Sequence, residues 1–136
     1  MLIRMLALWN GDQVDAGEVY AEGCRENGET TFGPDDVLPE IRALREAFPD
    51  LCFSVKRWFR AGDRFVLLMQ TGGTHQGPLT TPLGTAAPNG RSVSMSGIEV
   101  FEVKEDRVVD VWVGWNWGEI YSALGATLQA SSGDGQ

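Results

Sequence analysis

The sequence predicts an α+β fold: a curved antiparallel sheet wrapped around N-terminal helices, giving a cone-shaped α+β barrel with a central pocket. Two observations carry this. Residues 35–48 place apolar side chains at Val37, Ile41, Leu44 and Phe48, one face of an amphipathic helix. From Cys52 onward the chain turns to strand patterns separated by short turns, a meander that follows the helices. A sheet covered by helices on one face must curl to bury them, and its concave side then forms a pocket.

Taken in order, "MLIRMLALW" reads as a first helix that stops at Asn10-Gly11. It is not a signal peptide, because Arg4 interrupts it and "NGDQVD" follows without a small-residue cleavage site. A second helical piece is expected through "QVDAGEVYAEG", and "CRENGETTFGP" reads as polar turn. In the next helix Asp35 and Asp36 can cap, Pro39 falls in the first turn, and Pro49 ends it. "CFSVKRWF" alternates, "AGD" turns, and "RFVLLMQT" is apolar on both faces. "GGTHQGPLTTPLGTAAPNGR", Gly72 to Arg91, is too rich in Gly and Pro for regular structure between Thr74 and Asn89. A loop this long in a compact domain is usually functional, so it is expected to lid the pocket with His75 at its hinge. "RSVSMSGIEVFEV", the turn "KEDR" and "VVDVWVGWNWG" form the last hairpin, followed by a short helix. Residues 1–127 form a single domain and 128–136 a flexible tail.

Composition narrows the function. The formal net charge of −8 argues against nucleic acid, which needs a dense Lys/Arg surface, and against an acidic membrane surface. No segment approaches the roughly 20 apolar residues of a membrane span. Cys24 and Cys52 are too few for a disulfide framework and lack metal-ligand spacing, so free thiols in the cytoplasm are expected. No metal site is expected. Five tryptophans, mostly late in the chain, suggest a cavity lined with rings.

In the last hairpin, a turn from Lys104 to Arg107 pairs Val103 with Val108 and sets Glu99 opposite Trp112 and Met95 opposite Asn116. Met95, Glu99, Trp112 and Asn116 then share one face, with Ile98, Val100, Val111 and Val113 on the other. A carboxylate between Met95, Phe101 and Trp112 is desolvated, its pKa rises, and it suits a general acid or base. A one-residue slip would instead put Glu99 in solvent. As an imidazole, His75 is a candidate general acid or base; the alternative is a loop anchor whose ring nitrogen bonds a backbone carbonyl. Asn116 is a candidate ligand for a developing oxyanion, or else a strand-end residue holding nearby backbone. Tyr20, Trp58, Met69, Met95, Trp112 and Trp115 are the candidate substrate-binding residues. Trp115 and Trp117 face away from Asn116 in a regular strand, toward core or a dimer interface, unless a bulge at Gly114 turns them inward.

The stretches "WNGDQVD", the helix ending in "FPDL", "AGDRFVLLMQTGGTHQG" and "GIEVFEVKEDRVVDVWVGWN" ending in "ALG" come in an order similar to that of SnoaL-like polyketide cyclases of the nuclear-transport-factor-2-like superfamily. The resemblance runs from about Leu6 to Gly125. It implies a cone with a deep hydrophobic pocket, cofactor-free chemistry and frequent dimers. Members close a polyketide ring by an aldol-type step; relatives hydroxylate, dehydrate, isomerise or open epoxides. One departure stands out. The cyclases' acid/base aspartate lies four residues after the tryptophan of the last strand, and that count from Trp112 reaches Asn116, which cannot take a proton.

The expected function is a cofactor-independent cyclase acting on a hydrophobic, polyketide-like molecule, with Glu99 as acid/base and Asn116 as polar ligand. Within enzymes the nearest alternative is epoxide opening, with isomerisation or hydroxylation on the same fold; a non-catalytic binding protein that kept the pocket is the rival from another class, and the placement of Glu99 separates enzyme from binder. A homodimer is expected through an apolar outer face of Val111, Val113, Trp115 and Trp117.

Overall fold

A computed structural model of the protein describes residues 1–124 and the strand pair at 128–129. Helix α1 (Leu2–Trp9) ends where Asn10 takes over: its side chain accepts a hydrogen bond from Phe53 N–H (2.7 Å) and donates to Phe53 C=O (3.1 Å), tying the helix end to a strand. Residues 13–23 do not continue as helix. A single 3₁₀ turn (Ala16–Glu18), capped by the Asp15 carboxylate on Gly17 N–H, leads into strand β1 (Tyr20–Glu26). The expected polar turn holds a hairpin, in which β2 (Thr30–Phe32) returns along β1. Its turn has left-handed φ at Asn27 (51°) and Gly28 (74°), the residue pair that tight hairpins favour.

Helix α2 (Pro34–Ala47) begins earlier than expected, with Pro34 in its first turn and the Asp36 carboxylate accepting from Gly33 N–H at 2.8 Å. Pro39 therefore lies inside the helix rather than in its first turn. The expected apolar stripe is real: Val37 and Ile41 are buried against the sheet.

Strands β3 (Cys52–Ala61), β4 (Arg64–Thr74), β7 (Ser92–Lys104) and β8 (Arg107–Trp115) follow, with the short strands β5 (Leu79–Thr81) and β6 (Gly84–Ala86) between β4 and β7. The main sheet has the order β2-β1-β8-β7-β4-β3 and is antiparallel except where β1 lies parallel to β8. Helix α3 (Trp117–Leu124) packs against β7, and a small sheet pairs β5, β6 and β9 (Leu128–Gln129). The fold is thus the expected helices inside a curved, mostly antiparallel sheet. The expected tail from 128 opens with strand β9; its remainder, and Gly125 of the "ALG" stretch, lie outside the described residues.

Two single-residue bulges decide which way the tryptophans point. On β8, Val108 pairs with Val103 but Asp110 pairs with Glu102, so Val109 is an extra residue. Every later residue of β8 is shifted by one: Glu99 faces Val113 instead of Trp112, and Gly97 faces Trp115. Val111, Val113 and Trp115 therefore turn to the inner face, and Trp112 goes to the outer face, 51% exposed. On β3 the extra residue is Lys56, between Val55↔Met69 and Arg57↔Leu68, which moves Trp58 to the face opposite Ser54.

The inner face buries two clusters. Near the helices, Met5, Leu8, Val37, Ile41, Leu67, Met69 and Phe101 pack together; toward β5–β6, Phe48, Leu51, Leu79, Val93, Met95 and Ile120 do. The segment 72–91 is less irregular than expected, since β5 and β6 form a hairpin that covers the second cluster. Gln76 and Gly77 N–H groups both donate to Ala47 C=O, fixing it to the end of α2.

The outer face still carries an apolar patch, but of other residues than expected: Phe59, Ile98 and Trp112 are each more than half exposed. The Trp112 ring rests on Gly28, where a Cβ would come 2.9 Å from the ring.

Candidate functional site

The inner face, α1 and α2 enclose a cavity of about 320 Å³, within the range of small-molecule sites. Its walls come from Met5, Leu6 and Trp9 of α1, Val37 and Leu44 of α2, Leu67 and Met69 of β4, and Val111, Val113 and Trp115 of β8. Alternation delivers these side chains: on β4, residues 65, 67 and 69 point inward, and Leu67 is fully buried. A smaller chamber of about 120 Å³ continues along the same face toward β5–β6. Glu40, Leu44, Phe53 and Trp115 line both and form the wall between them. The rings of Trp9, Phe53 and Trp115 succeed one another with centroids 5.7 and 5.9 Å apart.

Glu99 stands in the larger cavity, opposite Leu67 on one side and Val113 on the other. It is partly buried, and its Oε1 is sealed from water without a hydrogen-bond partner. Burial, reinforced by the Glu26 carboxylate, pushes its pKa up to about 7. Glu119 shows what exposure does to the same side chain. A hydrogen bond from the Ser96 hydroxyl, helped by one from the Ser96 N–H, holds its pKa below the usual carboxylate range.

Tyr20, at the start of β1, is buried with its hydroxyl accepting a hydrogen bond from Trp9 Nε1 at 2.7 Å. Burial first and the Glu99 charge second raise its pKa, against the Trp9 bond, so the phenol keeps its proton. With its oxygen engaged by Trp9, that proton is free to be donated into the cavity.

Of the remaining candidates, Met69 lines the larger chamber, Met95 the smaller, and Trp115 both. Four depart from expectation. Trp112 is on the outer face because of the Val109 bulge. Trp58 shares the face of Leu67 but lies beyond the cavity, half-exposed, its ring 6.2 Å from that of Phe65. Asn116 is exposed at the junction of β8 and α3, where its N–H donates to Ser96 C=O and its C=O accepts from Glu119 N–H. It holds strand-end backbone and does not line the cavity. His75 is fully buried under the β5–β6 segment, 5.4 Å from the Phe48 ring, with both ring nitrogens unpartnered. Its backbone brackets the loop, since His75 N–H donates to Arg91 C=O and Gly90 N–H to His75 C=O, but its ring reaches neither chamber. The segment 72–91 contributes Gly72, Gly73 and Leu79 to the smaller chamber and nothing to the larger.

Sequence reasoning missed Trp9, Phe32, Phe53, Glu26 and Glu40 as cavity residues. One signal existed. Glu40 interrupts the stripe Val37–Ile41–Leu44 at helical spacing, a charged residue on an otherwise core-facing arc. Among the described residues, no three His, Cys, Asp or Glu side chains converge as metal ligands, and no helix is long and apolar enough to cross a membrane.

Comparison with known proteins agrees with this architecture. No curated protein matches the chain. TsrD from Streptomyces laurentii shares the fold with a TM-score of 0.79 at 22% identity, covering 92% of each chain. IdmH from Streptomyces antibioticus, described as a candidate polyketide cyclase, gives 0.76 at 19% identity, covering 92% of this chain and 96% of its own. AclR from Streptomyces galilaeus, described as a candidate hydroxylase, gives 0.75 at 23% identity, covering 96% of this chain and 82% of its own. The family model for SnoaL-like polyketide cyclases matches residues 1–124, and the chain belongs to that family.

Proposed function

We propose that the protein is a cofactor-independent enzyme that moves a proton on carbon next to a carbonyl, closing a ring in a hydrophobic polyketide-like substrate. The single observation that supports this most is Glu99, a carboxylate inside an apolar cavity with an unpartnered oxygen and a pKa near 7. In this reading Glu99 takes the proton from an acidic C–H group, the resulting enolate carbon forms the new C–C bond to a carbonyl carbon, and the protonated Glu99 returns its proton to the alkoxide. The Tyr20 hydroxyl, held by Trp9, is the donor toward the developing oxygen charge, the role expected earlier of Asn116.

The test is deuterium incorporation from D₂O into the acidic carbon of a tricyclic aromatic β-keto ester, followed by mass spectrometry without added cofactor. The protein should accelerate exchange, and Glu99→Gln should slow it by about 10²-fold or more. Equal exchange by protein and variant would end this reading.

We also propose a homodimer, through the outer patch of Phe59, Ile98 and Trp112, since monomers seldom leave such a patch uncovered. Light scattering should give twice the chain mass at micromolar concentration and a single mass for Ile98→Lys; a monomeric parent protein would refute it.

A further inference from the structure

The charges around the larger cavity are all of one sign. Glu26 and Asp36 line it with Glu40 and Glu99, while no Lys, Arg or His lines either chamber among the described residues. The four carboxylates come from separate elements: Glu26 from the end of β1, Asp36 and Glu40 from α2, Glu99 from β7. Asp36 spends one oxygen on the Gly33 N–H cap. Glu26 and Glu40 have no ion-pair partner among the described residues. The Glu40 carboxyl is raised by burial first and by the Glu26 charge second.

Like charges held together without a counter-charge lower stability, and they persist where a ligand supplies the opposite sign. The rest of the wall points the same way. Trp9, Phe32, Phe53 and Trp115 line the same cavity, and aromatic rings are favourable neighbours for an alkylammonium group. The sealed, unpartnered Glu99 oxygen deeper in the same cavity marks it as built for a ligand rather than as a chance surface cluster.

We propose that the ligand of this site carries a protonated amine, whose ammonium group lies between Glu26 and Glu40 at the mouth while its apolar ring body fills the cavity against Trp9 and Phe53. The inference rests on the enzymatic reading for the site's use, but not on its proton chemistry. An anionic substrate is excluded by the same charges, and a neutral one gains nothing from them. The net charge of −8 adds a long-range attraction for cations.

Three matched fluorescent probes test it: 9-(aminomethyl)anthracene, 9-(hydroxymethyl)anthracene and 9-anthracenecarboxylate, each titrated into the intact protein at neutral pH. The ammonium probe should bind at least about tenfold more tightly than the alcohol, and the carboxylate most weakly. Glu26→Gln and Glu40→Gln should each reduce the ratio of amine to alcohol affinity measured on the same variant. Glu99→Gln, which tests the proton-transfer reading, should retain an amine preference even where exchange activity is lost. No amine preference in the parent protein, including no binding of the ammonium probe, overturns the proposal; so does a preference that both rim variants retain in full.

Discussion

The two chambers on the inner face share Glu40, Leu44, Phe53 and Trp115 but differ in the rest of their lining. The larger holds Glu99, Tyr20 and the acidic rim; the smaller, past Trp115 and Phe53, is lined by Leu51, Leu79, Val93, Met95 and Ile120, with the Thr71 hydroxyl as a buried polar group lacking a partner. The difference follows from what covers each half. Helix α2 and strand β1 bring polar residues to the first half beside the apolar side chains of α1, whereas the β5–β6 hairpin covers the second with apolar ones.

The largest expected effect comes from removing the wall. Trp115→Ala should merge the chambers and cost about 3 kcal/mol, the lower part of the range for aromatic truncations because Trp115 is only partly buried. Urea denaturation measures it, and a loss below about 1 kcal/mol would mean that Trp115 does not hold the two halves apart. Next is the pH dependence of the polar chamber. Folded Glu99 keeps its proton up to about pH 7, whereas a glutamate in the unfolded chain loses it near 4.5. Between these values the folded state binds more protons, so stability falls as pH rises, by an amount on the order of 3 kcal/mol for this group. The difference in unfolding free energy between the parent and Glu99→Gln, followed from pH 4.5 to 7.5, should shift against the parent by that order. A flat difference would show that Glu99 ionises freely. The smallest effect belongs to the dry chamber. Thr71→Val removes an unpartnered hydroxyl and should stabilise by about 1 kcal/mol, with deuterium exchange unchanged. A fall in exchange rate would show that the smaller chamber takes part in the chemistry.

Much of this was legible in the sequence, and the failures have physical causes. Glu99 was placed inside correctly because β7 is regular through residue 99, so alternation from Phe101 and Met95 holds. Trp112 was not, because the bulge at Val109 occurs within ordinary strand sequence and carries no glycine to announce it; Trp58 gains the inner face through the Lys56 bulge but lies too far along β3 to reach the cavity. The Asn27-Gly28 turn was written in the chain, but its flanking strands are short and polar, and hydrophobic patterning passes over them. Position 116 was reached by counting along β8 as though it ran on; the strand ends at Trp115, and Asn116 serves the start of α3 instead. The family was legible from the order of its segments, which bulges do not disturb.

The parallel pairing of β1 with β8 has a consequence for how the protein comes into being. Tyr20 lies beside Val108, and Glu26 beside Val111, so the two sides of the cavity are contributed by opposite ends of the chain. The β3–β4–β7 part of the sheet forms from neighbouring segments, but β1 has no partner except β2 until β8 has been synthesised. Closing that long loop is entropically costly and comes late, as non-local pairings do. On the ribosome, the nascent chain therefore exposes its ring-lined inner face until the penultimate stretch of the domain emerges. The lining of the cavity is thus, during synthesis, an exposed adhesive surface.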